Sequence, residues 1–244
     1  MTILRSMRNF SAMNIVASIL LFVTAIAAAI IANSPLAPAY QEFLSHELHF
    51  RIGSFNLLSH GGQNLTMIEF INDGLMTVFF LLVGLEIKRE LLVGELSSFR
   101  KAVLPFIAAC GGMLIPVLIY SFICTPYTPE GQGLAIPMAT DIAFSLGVLS
   151  LLGKRVPLSL KIFLTAFAVV DDIGGILVIA VFYSSHVAYG YLLVAALLFV
   201  LLYFIGKHGA TNKLFFLIIG VIIWYLFLQS GIHSTIAGVL FAFI

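Results

Sequence analysis

The sequence predicts an all-α protein, a bundle of helices that crosses a membrane several times. Of its 244 residues, 61% are hydrophobic and 9% are charged, and the mean hydropathy is +1.12. Soluble domains carry about 25% charged residues. Apolar stretches of the length that spans the hydrocarbon core recur along the whole chain. The net charge of +1 and the lack of a basic run give no indication of a nucleic-acid partner.

The apolar stretches predict seven complete spans. They cover residues 14–32, 67–87, 102–124, 134–152, 158–183, 187–205 and 214–228. An eighth begins near Gly231 and reaches Ile244 before it is long enough to cross. A helix ending there would leave carbonyl groups unpaired in hydrocarbon. We therefore expect residues 1–244 to be a single membrane domain, the N-terminal part of a larger fold.

The basic residues predict the orientation of the spans. Eleven of the twelve Lys and Arg residues fall on one side of the membrane, beginning with Arg5 and Arg8, and Arg51 is the exception. The positive-inside rule makes that side, and the N-terminus, cytoplasmic.

The longest outer connection, residues 33–66, favours a small β-hairpin between Leu48 and Leu58, with its turn at Gly53-Ser54. The same pattern fits an irregular loop equally well. A lone hairpin is marginal in water, so we expect it to pack on the membrane domain or on a second copy.

Three of the predicted spans carry acids. Asp171 and Asp172 lie midway along 158–183, Asp141 lies near the middle of 134–152, and Asp73 lies nearer the outer face in 67–87. A charge at the bilayer centre costs at least about 2.5 kcal/mol, so such acids mark ion or proton pathways. Acids that reach one depth on different helices indicate a shared polar cavity.

Asp171 and Asp172 are neighbours on a helix and point about 100° apart. We expect one of them to face water and bind a cation while the other pairs with a buried base. Burial and like charge both oppose ionisation of such a pair. A site that holds either protons or a cation exchanges one for the other.

Pro137 lies shortly before Thr140 and Asp141. Proline removes an amide hydrogen bond and disfavours helical geometry at the preceding residue. The pattern predicts a discontinuous helix around Pro137 to Asp141, with backbone carbonyls free for a cation. An ordinary proline kink is the alternative.

A charged group, defined by Glu86, Lys88, Arg89 and Glu90, closes the cytoplasmic end of the second span. It is either a cluster that titrates with pH or a solvated helix end, and the pattern alone favours the helix end. His233 is either a pH-sensitive group or a hydrogen-bonded buried histidine.

The chain resembles the NhaA-type sodium/proton antiporters. The likeness is carried, in order, by residues 71–76 (INDGLM), 84–91 (GLEIKREL), 139–144 (ATDIAF), 170–172 (VDD) and 230–235 (SGIHST). It implies a protein of the bacterial inner membrane that exports Na⁺ or Li⁺ in exchange for a larger number of protons. The membrane potential and the proton gradient would drive the exchange, and no cofactor would be needed.

The resemblance also implies roles for single residues. Asp172 would be the principal cation ligand and Asp171 its partner in proton exchange, while Asp141 and Thr140 would mark the crossing of the broken helix. The charged group and His233 would form a pH-response region, and the outer hairpin would hold a homodimer together.

The family has twelve spans, and its second broken helix and the lysine that pairs with the aspartates are absent from this sequence. We expect the longer protein to transport and these residues alone not to. Two other interpretations stay open: a non-transporting scaffold or paralogue, and an intramembrane aspartyl protease, whose Gly-x-Gly-Asp motif is missing here.

Overall fold

The computed structural model describes residues 2–52, 55–56, 58–60, 63–124, 133, 136–138, 140–152, 155–182, 187–209 and 212–244. The α-helices there are α1 (Thr2–Ala32), α2 (Ala37–Leu44), α3 (Met67–Phe70), α4 (Met76–Val93), α5 (Phe99–Ile123), α6 (Ile142–Leu151), α7 (Leu158–Phe182), α8 (Tyr189–Lys207), α9 (Lys213–Ser230) and α10 (Thr235–Ala242). A π-helical turn, Ile71–Leu75, joins α3 to α4, and short 3-10 turns lie at Glu95–Ser97 and Ile136–Met138.

Several helices are long and apolar enough to cross a membrane. Within the described ranges these are Met67–Val93, Phe99–Ile123, Tyr189–Lys207 and Lys213–Ser230. A fifth span is added if Ile19–Ala32 and Ala37–Leu44, which meet at 112°, form one broken crossing. Large apolar side chains are exposed along these helices, which suits a lipid environment. The predicted polytopic helical bundle is therefore confirmed.

Among its described residues, the predicted span 134–152 is α-helical only over Ile142–Leu151. A 3-10 turn centred on Pro137 precedes it, and residues 134, 135 and 139 lie outside the described part. Proline fixes its own backbone angle and disfavours helix before it, which accounts for a late helix start.

The chain divides into two compact units. The first comprises Met1–Gln41 and Val93–Ile173. In it α6 packs on α1, where the rings of Phe22 and Phe144 stack with centroids 3.6 Å apart. Helix α5 approaches α7 at Gly112, where an added Cβ would come within 3.2 Å of the Phe167 ring.

The second unit comprises Glu42–Leu92 and Gly174–Ile244. Its core lies between α8, α9 and α10 and is built from Ala195, Leu202, Ile219, Ile223, Phe227 and Ala237. These side chains recur at helical spacing, so one apolar stripe of α8 meets one stripe of α9.

The outer connection contains two antiparallel pairs of two-residue strands. They are β1 (Arg51–Ile52) with β2 (Phe55–Asn56), and β3 (Ser59–His60) with β4 (Gln63–Asn64). Gly53, Ser54 and Leu57 of the predicted hairpin lie outside the described residues. The hairpin as an element that packs against another surface stays a prediction.

Candidate functional site

Asp171 lies in a buried stretch of α7. Its side chain is 2% exposed, and the apolar residues that precede it, Ala168, Val169 and Val170, are also buried. An isolated carboxylate in such surroundings is costly, so a buried acid needs hydrogen-bond donors or a bound ion.

Thr140 supplies two of those donors. Its backbone N–H donates to Asp171 Oδ2 over 2.8 Å, and its hydroxyl donates to the same oxygen. The amide is available because Thr140 lies between the 3-10 turn at Pro137 and the start of α6, where no helical carbonyl occupies it.

Asp141 follows directly and caps α6. Its Oδ1 accepts the backbone N–H of Phe144 over 2.9 Å, and its carbonyl accepts the N–H of Ser145 over 3.0 Å. Aspartate is a favoured N-cap, because its carboxylate pairs with free N–H groups and offsets the positive end of the helix dipole. The Asp141 side chain is exposed.

Asp172 lies one residue beyond Asp171 and is half-buried. The carboxylates of Asp171 and Asp141 both act on it electrostatically. The structure therefore places three carboxyl groups and Thr140 in one region of the first unit. The sequence argument rested on the similar depth of Asp141 and Asp171 in two spans, with Asp73 nearer the outer face.

The oxygens of this cluster differ in their hydrogen bonding. Asp171 Oδ2 is occupied by Thr140, whereas Asp171 Oδ1 and both oxygens of Asp172 accept no hydrogen bond from any described residue. Among the described residues, no basic side chain forms an ion pair with Asp171 or Asp172. Such oxygens are suited to hold a proton or an alkali cation, whose ligands at broken helices are oxygens.

Asp73 belongs to the second unit. Its carboxylate Oδ1 lies 3.0 Å from the Ser234 hydroxyl, and its backbone carbonyl accepts the indole N–H of Trp224. The sequence singled out Asp73 but none of the groups around it. The Asn72-Asp73-Gly74 run inside an apolar span was the available signal, since it interrupts strong helix formers.

The two basic residues of the charged group on α4 have different partners. Arg89 Nη1 donates to Glu86 Oε1 over 3.0 Å, while Lys88 Nζ donates to the carbonyl of Ala242 over 3.2 Å. Glu90 is half-buried on the same helix. An exposed pair three residues apart adds only about 0.2–0.5 kcal/mol.

His233 lies in the turn between α9 and α10 and is exposed. Of the two interpretations of this residue, the structure therefore does not support a buried histidine.

The chain matches a family described as Na⁺/H⁺ antiporter 1 over residues 8–244. It is 85% identical over 244 residues to a Bacteroides fragilis protein named Na(+)/H(+) antiporter NhaA, covering 100% of this chain and 56% of that protein. It is 84% identical to the protein of that name from Bacteroides thetaiotaomicron, with the same coverage. A Shewanella frigidimarina protein of that name is 48% identical over 241 residues, 98% of this chain and 59% of its own length.

The chain thus spans little more than half the length of the curated relatives it matches. The family match covers nearly every residue of the chain, and the family is one of transporters rather than enzymes. The chain belongs to the Na⁺/H⁺ antiporter 1 family.

Proposed function

We propose that the protein to which this chain belongs exchanges cytoplasmic Na⁺ or Li⁺ for a larger number of external protons. The exchange serves sodium and pH homeostasis, is electrogenic and needs no cofactor, because Na⁺ and H⁺ are themselves the transported species. The observation that carries the proposal is the pairing of Thr140 with Asp171 beside a half-buried Asp172 that no described side chain neutralises.

The proposed chemistry is competition for Asp172. Asp171 is buried and Asp172 half-buried, and the like charges of these two acids and Asp141 oppose ionisation of all three without a counter-ion. A proton or a cation on Asp172 relieves the repulsion, and each excludes the other. Thr140 occupies Asp171 Oδ2, which leaves Asp171 Oδ1 available to the exchanging ion.

The discontinuous helix around Pro137 to Asp141 is the second part of the proposal. It is supported by the 3-10 turn at Ile136–Met138 and by the start of α6 at Ile142. A break at this point frees backbone groups for the site, and Asp141 compensates the positive end of α6.

Three further proposals come from the family and the sequence pattern. The charged group of Glu86, Lys88, Arg89 and Glu90, together with His233, adjusts activity to pH. The outer hairpin between Leu48 and Leu58 joins two copies. The protein lies in the bacterial inner membrane with its N-terminus in the cytoplasm, as the distribution of Lys and Arg supports.

The test uses a chimera in which residues 1–244 replace the matching segment of the Bacteroides fragilis protein, hereafter the chimera. In everted vesicles, Na⁺ added to the chimera should collapse a preformed pH gradient. Asp172→Asn should abolish that response, because an amide cannot release a proton. Glu42→Gln, at an exposed carboxylate on α2, is the control. Full exchange by the Asp172→Asn chimera would overturn the proposal and favour a scaffold.

A further inference from the structure

The π-helical turn of the second span gathers donors from three helices around one backbone carbonyl. In such a turn the hydrogen-bond register changes, which leaves a carbonyl outside the α-helical ladder. Three donors lie within hydrogen-bond distance of the Asp73 carbonyl: the hydroxyl of Thr77 at 2.6 Å, the indole N–H of Trp224 at 2.6 Å and the hydroxyl of Ser234 at 2.7 Å. Thr77 lies on α4 and Trp224 on α9, while Ser234 directly precedes α10.

The number of lone pairs on the carbonyl limits how many of these three donors it can accept. A carbonyl oxygen has two lone pairs, and each of the three donors has one hydrogen to give. Thr77 and Trp224 are enough to fill the carbonyl. Ser234 has a second acceptor, because Asp73 Oδ1 lies 3.0 Å from its hydroxyl. Since the carbonyl is already filled, the Ser234 hydrogen is assigned to Oδ1.

The bond between Ser234 and Asp73 lies at the start of α10. It is 0% exposed, and although it is the N-cap residue of α10 its side chain makes no capping bond to that helix. Its hydroxyl is directed to Asp73 instead. The position of the first turn of α10 is thereby set by the second span.

Close backbone packing continues this contact along the two helices. A Cβ added at Gly238 of α10 would collide with the carbonyl of Thr77 and come within 3.2 Å of the backbone nitrogen of Leu81. Small residues allow membrane helices to approach in this way. With so little clearance, a change at Asp73 displaces the start of α10 and the turn that carries His233.

We propose that Asp73 is a positioning residue for exchange: it accepts the Ser234 hydroxyl, fixes the start of α10 against α4, and does not itself bind the transported ion. The proposed ion site groups Asp171, Asp172 and Asp141 within the first unit, whereas Asp73 belongs to the second unit and its Oδ1 accepts the Ser234 hydroxyl. The expected effect on transport rests on the function proposed above. The predicted coupling between Asp73 and Ser234 in thermal stability is independent of that function.

The coupling is tested first by thermal unfolding of the 244-residue chain in detergent. Asp73→Ala and Ser234→Ala should each lower the unfolding temperature, and the double variant should unfold no lower than the less stable single variant. Ser121→Ala is the matched control and should change little, because the only described partner of the Ser121 hydroxyl is the carbonyl of Val117 in its own helix. Additive losses in the double variant would overturn the proposal, since the two residues would then act independently.

Transport by the chimera is tested second. Asp73→Ala and Ser234→Ala should each lower the maximal rate by about tenfold and leave the half-saturating Na⁺ concentration within about twofold. Asp73→Asn keeps an acceptor oxygen and should recover at least half of the rate. Ser234→Ala retains the carboxylate, so it keeps the test decisive if Asp73→Ala fails to fold.

Three outcomes would overturn the inference. An Asp73→Asn chimera as inactive as Asp73→Ala, with a raised half-saturating Na⁺ concentration, would make Asp73 an ion ligand. If Asp73→Ala and Ser234→Ala both left the maximal transport rate unchanged, the Asp73–Ser234 contact would have a structural role only. A rate lowered by Asp73→Ala but not by Ser234→Ala would show that Asp73 acts through another group. Failure of the proposed function would appear separately, as full exchange by Asp172→Asn.

Discussion

Thr140 donates both its backbone N–H and its hydroxyl to a single oxygen of Asp171, thirty-one residues further along the chain. The relationship joins the irregular segment before α6 to the middle of α7. It also explains how a carboxyl group that is almost fully buried is accommodated, since two donors replace the water that it loses. The other oxygen, Oδ1, keeps its capacity for an ion.

Thr140→Val should lower the apparent Na⁺ affinity of the chimera by about 3- to 18-fold, as expected for one hydrogen bond worth about 0.6–1.7 kcal/mol inside a membrane. The backbone donor is retained, so exchange should persist. The measurement is the Na⁺ concentration that half-saturates the collapse of the pH gradient.

Thr165→Val is the control for this change. Thr165 lies on α7 and its hydroxyl bonds to the carbonyl of Lys161 in the same helix. Valine there should leave the half-saturating concentration unchanged. If the two valine variants behaved alike, the hydroxyl of Thr140 would have no specific role at the site.

Two substitutions distinguish the two roles of Asp141, which caps α6 and places a negative charge near Asp172. Asn is as good an N-cap as Asp, whereas Ala costs about 0.5–2 kcal/mol at this position. Asp141→Asn should therefore leave the unfolding temperature unchanged and weaken Na⁺ binding by removing a charge that acts on Asp172. Asp141→Ala should both lower the unfolding temperature and weaken binding. Equal unfolding temperatures for the two variants would contradict the capping role.

Hydropathy and charge spacing were enough to predict a helical membrane bundle, because about 20 apolar residues per crossing is a requirement of the bilayer itself. They also singled out Asp141, Asp171 and Asp172, since a charge in an apolar run is conspicuous. The sequence did not predict that Thr140 is the hydrogen-bond partner of Asp171. Thr140 was assigned, with Asp141, to the predicted helix break rather than to a bond with Asp171, and its backbone N–H carries no signal in a sequence.

The surroundings of Asp73 could not be predicted for a related reason. Ser234 and Trp224 are distant from Asp73 in the chain, and no periodicity relates them. The π-helical turn depends on those distant donors, so local propensity alone does not reveal it. The membrane-spanning helices could be predicted from local hydropathy. The contacts that position Asp73 and Asp171 could not, because they join residues that are distant in the chain.

Removal of residues 51–56, which carry β1 and β2, should convert a dimer of the chimera into a monomer. Two-residue strands gain little stability alone, so pairing with a second copy is what would give this element a role. Light scattering after size-exclusion chromatography in detergent gives the mass, and Glu42→Gln serves as the unchanged control. A dimer that persists without these residues would place the contact elsewhere.

Two glycines in membrane spans should respond oppositely to the same substitution. Gly111→Ala on α5 introduces a Cβ that meets no atom within 4 Å, so it should raise stability by about 0.5–1 kcal/mol through the better helix propensity of alanine. Gly238→Ala on α10 introduces a Cβ that collides with the carbonyl of Thr77. Backbone atoms cannot move aside as a flexible side chain can, and overpacking of this kind costs about 1–3 kcal/mol. Thermal unfolding of the 244-residue chain should therefore shift upward for Gly111→Ala and downward for Gly238→Ala. A stabilising Gly238→Ala would show that α10 does not pack closely against α4.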